Sequence, residues 1–284
     1  MTDRAEEKSY GVRERTARND EVAFHVERIR LAGYSVLKTD FSETQVADLG
    51  ARLDAVLERQ SREFGGPERL ATIGDALTAR CPLVYDDAFL RLATYAPLLT
   101  LCRHLLGDYF VLMQQNGIVN PSGEGHTQAS YHRDLPYQHF VSSRPLAVSA
   151  LFCIDPFRVE TGATTVLVGS HRVEEFPSID VAATVDVPVT AEPGSFLVFD
   201  SMLFHRAGAN RSGRVRRGVN HVFTVPIIAQ QISLPAALGG RYADDPVLAR
   251  LLGYEAEPAS SATDWRERRL RRVALRRDPP AAEP

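Results

Sequence analysis

The chain has 284 residues, a formal net charge of −3 and 44% hydrophobic content, enough apolar material for a sizeable core in one large domain or two small ones. A surface so near neutrality offers no electrostatic reason to bind nucleic acid or an anionic membrane, which leaves small molecules as the expected ligands. No apolar run approaches the ~18 residues of a membrane span, and the opening MTDRAEEKSYGVRERTARND is too charged for a signal peptide, so a cytoplasmic location is expected.

After a polar leader over residues 1–21, Val22 to Leu31 reads as a helix stopped by Gly33, and YSVLKT as a short strand. Ser42 followed by Gln45 forms a capping-box pattern, and Val46, Leu49, Leu53, Val56 and Leu57 recur at helical spacing, predicting an amphipathic helix from Ser42 to about Phe64. Shorter helical patterns follow around Glu68 to Thr78 and Asp87 to Leu106. From Tyr109 the texture changes to short β-branched or aromatic runs separated by Gly, Pro, Ser and Asp: YFVLMQQNGIV, PLAVSALFCI, TTVLVG, VDVPVT, SFLVF and GVNHVFTVPII. Six strands so spaced predict a sandwich or jelly roll, with the helices of the first third packed on it. The end, DWRERRLRRVALRRDPPAAEP, reads as a basic helix and a Pro-rich tail. Cys81, Cys102 and Cys153 lie far apart with no Cys-x-x-Cys, so they read as buried small hydrophobes rather than a disulfide framework or zinc ribbon.

Within ASYHRDLPYQ, His132 and Asp134 stand two positions apart. On a strand, i and i+2 share a face and could converge on one ion. The same spacing in His25-Val26-Glu27 falls in a helical pattern, where the two side chains diverge by about 200°, and that pair reads as a solvated helix face. A His/carboxylate pair becomes an iron site when a distant histidine completes a facial triad with open positions. His126 and His139 lie in loop-like stretches, His221 in a strand without a supporting motif, and His171 in a turn or loop pattern after a strand. His205, after EPGSFLVFDSMLF, is the best third ligand. Eleven residues later Arg216 begins a predicted strand, and its planar fork of donors suits the far carboxylate of a dicarboxylic cosubstrate. A solvated arginine cluster is the simpler alternative.

Taken in this order and spacing, YHRD, ETGATTVLVGSHR and HRAGANRSGRVRR, with LAGYSVLKTDFSETQVADLGARLDAVL near the start, resemble the phytanoyl-CoA dioxygenase family of Fe(II)- and 2-oxoglutarate-dependent oxygenases. The resemblance runs from about residue 23 to about Pro226. It implies a double-stranded β-helix, cupin-like, in one domain over residues 22–256, followed by the basic segment over 257–284. It places His132, Asp134 and His205 as iron ligands, Arg216 on the C5 carboxylate of 2-oxoglutarate, and Gln115 as a pocket-lining polar side chain. It also implies Fe(II), 2-oxoglutarate and O2 as cofactor and cosubstrates, and hydroxylation of an unactivated C–H bond of a small metabolite or natural-product intermediate. Desaturation, epoxidation or ring closure share the early steps. Related halogenases carry a small residue where Asp134 stands, so the carboxylate favours hydroxylation.

Three departures from the family pattern bear on cosubstrate binding: Tyr131 in place of a tryptophan, Val168 in place of a proline, and Ala207 in place of a hydroxyl residue. The alternatives are a non-oxidative cupin-type metalloenzyme and a non-catalytic binding protein on the same fold. Tyr137, His139 and Arg144, in the loop after the motif, are candidates to meet the substrate.

Overall fold

The computed structural model describes residues 11–12, 16–17, 20–123 and 127–277, with only the backbone for residues 127, 271–272 and 274–277. Most of the polar leader, His126 and the Pro-rich tail over 278–284 lie outside the described residues.

Helix α1 (Glu21–Ala32) starts where the Asp20 side chain accepts from the Ala23 amide and stops at Gly33, whose φ of 92° is the left-handed cap expected of it. The chain turns directly into β1 (Tyr34–Lys38). A side chain at Gly33 would also run into Leu203 and the His171 ring, its Cβ falling 2.4 Å from Leu203 Cδ1 and 2.8 Å from His171 Nδ1. The capping box forms at Ser42 and Gln45, and α2 (Glu43–Phe64) buries Val46, Leu49, Leu53 and Val56 along one stripe.

The next helical stretch is shorter than its pattern: α3 (Pro67–Ala71) ends early and the chain enters a strand, β2 (Thr78–Arg80). After α4 (Pro82–Tyr85), the pattern from Asp87 to Leu106 divides into α5 (Ala88–Ala93) and α6 (Ala96–Leu106). Pro97 fits the division, since a proline belongs in a helix's first turn, where its missing N–H has no intrahelical partner to lose.

All six predicted strand runs form strands: β3 (Val111–Asn120), β4 (Ala147–Cys153), β5 (Thr165–Leu167), β6 (Asp186–Pro188), which follows helix α7 (Ile179–Val185), β7 (Ser195–Asp200) and, after the two-residue β8 (His205–Arg206), β9 (Arg216–Thr224). They build an antiparallel sheet of order β1-β7-β4-β9-β3-β2 and a smaller one of order β6-β5-β8. Helices α8 (Leu234–Leu238), α9 (Pro246–Leu251) and α10 (Ala262–Arg277) complete the described chain.

Alternation along the strands assigns each side chain to one of two layers. Ala150 and Phe152 of β4, Phe196 and Val198 of β7 and Val219 and Phe223 of β9 pack with Leu49, Leu53 and Leu98 of the helices. Their neighbours Leu151, Cys153, Leu197 and Phe199 turn inward to meet Phe157 and Val166. The result is a double-stranded β-helix of the cupin type, flanked by helices, whose barrel is not closed.

Two expectations need correction. His25 does not face solvent: it is buried and its Nδ1 lies 2.8 Å from Ser35 Oγ, while Glu27 is exposed. Divergence at i and i+2 on a helix therefore holds, with one partner in the core. Nor do His132 and Asp134 lie on a regular strand; the segment makes a single isolated bridge, His132 to His205, and then bends.

Candidate metal centre

That single bridge brings two histidines together. His132 and His205 exchange both backbone hydrogen bonds, N to O at 2.9 and 3.0 Å, which makes them a directly opposed antiparallel pair. Two residues on, the Asp134 amide donates to Ser201 O at 3.1 Å, which attaches the ligand-bearing segment to the turn after β7. One ligand atom from each of His132, Asp134 and His205 can be chosen so that all lie within 4.8 Å of one another.

Hydrogen bonds decide which atoms face that point. His132 Nδ1 is 3.0 Å from Ser130 O and His205 Nδ1 is 3.0 Å from Leu203 O. A carbonyl can only accept, so each Nδ1 carries the proton and each Nε2 keeps a lone pair for a metal. Asp134 Oδ2 accepts from Ser149 Oγ at 2.5 Å and from Asn220 Nδ2 at 3.1 Å, leaving Oδ1 directed at His205 Nε2, 3.4 Å away. The Ser149 hydroxyl is held in turn by Ser201 Oγ at 2.7 Å.

Burial and charge oppose each other in the cluster. The side chains of His205 and Asp134 are 8% and 9% exposed. Burial alone would raise the Asp134 carboxyl, but the His205 imidazole, helped by His132 and the Ser149 hydroxyl, outweighs it and holds the group well below the usual carboxylate range. Burial would likewise lower His205, and Asp134 reverses that sign. His132 is lowered, first by burial and then by His205. Two imidazoles, neutral once each Nε2 lone pair is given to a metal, and an ionised carboxylate form a donor set suited to a first-row divalent metal with open positions.

Arg216 stands at the head of β9 and shares a small gap with the triad, walled by Ile118, Leu151, Thr164 and Phe199. It is 2% exposed, its guanidinium lies 4.3 Å from the centre of the Phe157 ring, and its Nε has no hydrogen-bond partner. No carboxylate among the described residues pairs with it; the nearby Asp155 is engaged by Arg217 at 2.9 Å. Burial brings Arg216 down to about 10, still charged at neutral pH. A buried cation without an anion is the least self-sufficient feature of this region.

Gln115 is not brought here. It is fully buried on the helix side of β3, accepting from Leu83 N at 2.9 Å, donating to Phe89 O at 2.9 Å and lying 2.9 Å from His221 Nε2. The reason is a bulge: the pairing of β3 with β9 shifts register between Leu112 and Gln114. One extra residue inverts the alternation, turning Gln114 toward the triad and Gln115 into the core. Ala207 lines the gap, and Thr164 supplies a hydroxyl side chain on the same wall. Tyr131 donates to Asp186 Oδ2 at 2.8 Å. His139 lines a neighbouring cavity of about 700 Å³, Arg144 a separate one with Asp200, and Tyr137 is exposed.

Four supporting residues escaped prediction. Ser149 was visible as a polar residue in the apolar run AVSALFC, and Asn220 as the residue four beyond Arg216, on the same strand face. Thr164 had no distinguishing signal. The fourth is Arg133, between His132 and Asp134 and 2% exposed. Its guanidinium donates to the carbonyls of Met202 (2.7 Å), Gln138 (2.6 Å), Phe140 (2.9 Å), Ser170 (3.1 Å), Val173 (2.5 Å) and Glu174 (3.3 Å). It also lies over the Phe204 ring at 3.9 Å. One cation thus ties the His132–Asp134 segment to three other stretches of chain.

Among known proteins, the chain is 36% identical over 216 residues to an uncharacterized protein of Mycobacterium tuberculosis, Rv1501, covering 74% of this chain and 78% of that one. It is 26% identical over 178 residues to the iron/alpha-ketoglutarate-dependent dioxygenase penM of Penicillium thymicola, covering 56% and 52%. In three dimensions it is similar to EctD from S. alaskensis with bound Fe, with a TM-score of 0.60 at 22% identity over 75% of this chain and 80% of the other. The sequence profile of the phytanoyl-CoA dioxygenase (PhyH) family matches residues 29–218, and the chain belongs to that family.

Proposed function

We propose that this chain is an Fe(II)- and 2-oxoglutarate-dependent dioxygenase that hydroxylates an unactivated C–H bond of a small metabolite. The observation that carries the reading is the pairing, in one gap, of the His132, Asp134 and His205 ligand atoms with the buried, unpaired cation of Arg216. A metal at the triad answers the first and a dianionic cosubstrate the second. Family membership and the likeness to a protein named for iron and alpha-ketoglutarate support the same choice.

His132 Nε2, His205 Nε2 and Asp134 Oδ1 would hold the iron, and Arg216 the far carboxylate of 2-oxoglutarate. With O2, the bound group supplies an oxidation that turns 2-oxoglutarate into succinate and CO2 and places one oxygen atom into a C–H bond. The protein's own part is positional. Backbone carbonyls of Ser130 and Leu203 fix both rings, Ser149 and Asn220 fix the carboxylate, and Leu151 and Phe199 keep water from the buried side. The gap measures about 30 Å³, room for about one or two waters, so a five-carbon diacid enters only as its walls part.

Anaerobic protein given Fe(II) and then 2-oxoglutarate should develop a weak visible charge-transfer band, and Arg216→Met should need far more 2-oxoglutarate to reach it. Iron bound at His132, Asp134 and His205 with no band at saturating 2-oxoglutarate would refute the proposal.

A further inference from the structure

A second cavity borders two residues of the triad. It has a volume of about 280 Å³, and it reaches His132 and Asp134 but neither His205 nor Arg216. Among the described residues this cavity borders His132 and Asp134 without Arg216, so a substrate kept clear of the cosubstrate has room here for its reacting carbon. The larger cavity by Tyr131 and Phe176 contains none of the three.

The lining is unusual for a small-molecule site, whose walls are ordinarily apolar. Every side chain contributed to it is polar or charged. Its two arginines are already committed: Arg80 forks onto Asp75 through Nε and Nη2 and donates to Gln231 at 3.3 Å, while Arg133 serves backbone carbonyls. Neither calls for an anion. Asn116 lies 3.2 Å from Gln231 Oε1. Gln114 is different. The β3 bulge turns it into the cavity, it is 8% exposed, and its carboxamide makes no hydrogen bond among the described residues. Its one acceptor and two donors are not among the polar atoms sealed from solvent, so they open onto the cavity and are available to a ligand that matches them.

We propose that Gln114 reads the substrate, and that the substrate presents a neutral amide-type edge, a lactam or carboxamide, in which a donor and an acceptor stand side by side. Such an edge forms a paired hydrogen bond with the primary amide of Gln114, whereas a hydrocarbon would leave Gln114 desolvated and unmatched. The pairing fixes the ring or chain bearing that edge next to His132 and Asp134, and so selects which C–H bond faces the metal position. The inference rests on the reading of the triad as a metal site.

The test uses the full chain loaded with Mn(II), whose unpaired electrons broaden the NMR lines of protons held close to it. δ-Valerolactam should be broadened, cyclohexanone, which has the acceptor without the donor, at least tenfold less at equal concentration, and cyclohexane-based hydrocarbons least. Gln114→Leu should weaken the lactam effect at least tenfold with Mn(II) affinity unchanged, and Gln114→Glu, which keeps the shape but has no donor when ionised, should do the same. Broadening of cyclohexanone equal to that of the lactam, or a lactam effect that survives in both variants, would overturn the assignment. So would an unbroadened lactam on Mn(II)-loaded protein, the outcome in which the cavity holds water only. Failure to bind Mn(II) at all, measured beforehand from water-proton relaxation, would instead strike at the metal reading.

Discussion

Replacing Arg133 tests whether the His132–Asp134 segment is held by its own sequence or by the six carbonyls that Arg133 gathers. The side chain is 2% exposed, and the donors reach Met202, Gln138, Phe140, Ser170, Val173 and Glu174. A hydrogen bond from a charged group contributes about 1.5–3 kcal/mol, and a buried carbonyl left without a partner costs about 1–3 kcal/mol. Several of the carbonyls belong to loops that can turn to water, so the six do not add. Arg133→Met should therefore destabilise by about 4 kcal/mol, near the upper end for one substitution. For a domain of this size, about 2–4 °C accompanies each kcal/mol, giving a fall of roughly 8–16 °C in thermal unfolding. Because Met202 and Ser170 lie beside the His205 strand, the freed segment should also lose metal affinity by about 10- to 100-fold, the usual consequence of removing support behind the ligands. Arg133→Lys should recover little, since one ammonium cannot span six acceptors. Calorimetry of unfolding and a Mn(II) titration measure both effects. A loss below about 1 kcal/mol with unchanged Mn(II) affinity would show that the segment holds itself.

Arg216→Met should separate stability from function: the apo protein should be as stable or more stable, because a buried charge without a partner is replaced by an apolar chain of similar length, while 2-oxoglutarate affinity falls on the order of a hundredfold; a marked drop in melting temperature would show that Arg216 has an internal partner. Gln115→Leu should do the reverse, destabilising by about 2–4 kcal/mol through the unmatched Leu83 amide and Phe89 carbonyl, with the anaerobic 2-oxoglutarate titration unchanged. His221 is buried and its pKa is held down to about 4 by that burial. An unfolded chain takes up this proton near the ordinary value of about 6.5, so its contribution is fully present above that pH and is lost as the pH falls toward about 4, a total of about 3 kcal/mol. Denaturation at a series of pH values should show this slope flattened in His221→Phe, and an unchanged slope would exclude the residue.

Where the chain's hydrogen bonds are local, its structure was legible. The Ser42 box, the Gly33 cap and the apolar stripe of α2 need only near neighbours in sequence, and all three form as their spacing indicates. The six strand runs likewise carry their own β-branched pattern. Errors cluster where a partner from elsewhere decides. Residues after Ala71 have helical spacing, yet Thr78–Arg80 pairs with Asn116–Ile118 of β3 and becomes a strand. His25 lies on a polar-looking helix face, yet Ser35 of the adjoining strand draws it into the core.

The site shows the same division more sharply. Residue type and order single out His132, Asp134, His205 and Arg216, while the strand expected to make His132 and Asp134 converge does not form. What aligns them is one bridge, His132 to His205, supported by an Asp134–Ser201 backbone bond and by Arg133. Each of these contacts joins segments far apart in sequence, and no periodicity records them. The bulge at Met113 is the most consequential case, since a period-2 reading of VLMQQNG places Gln115 and Gln114 on the wrong faces together. One unpaired residue thereby moves a core amide out of the candidate cosubstrate list and moves an unmatched one, Gln114, to the wall where a substrate would be read. The element whose sequence is least distinctive thus decides which of two adjacent glutamines joins the core and which lines the cavity beside His132 and Asp134.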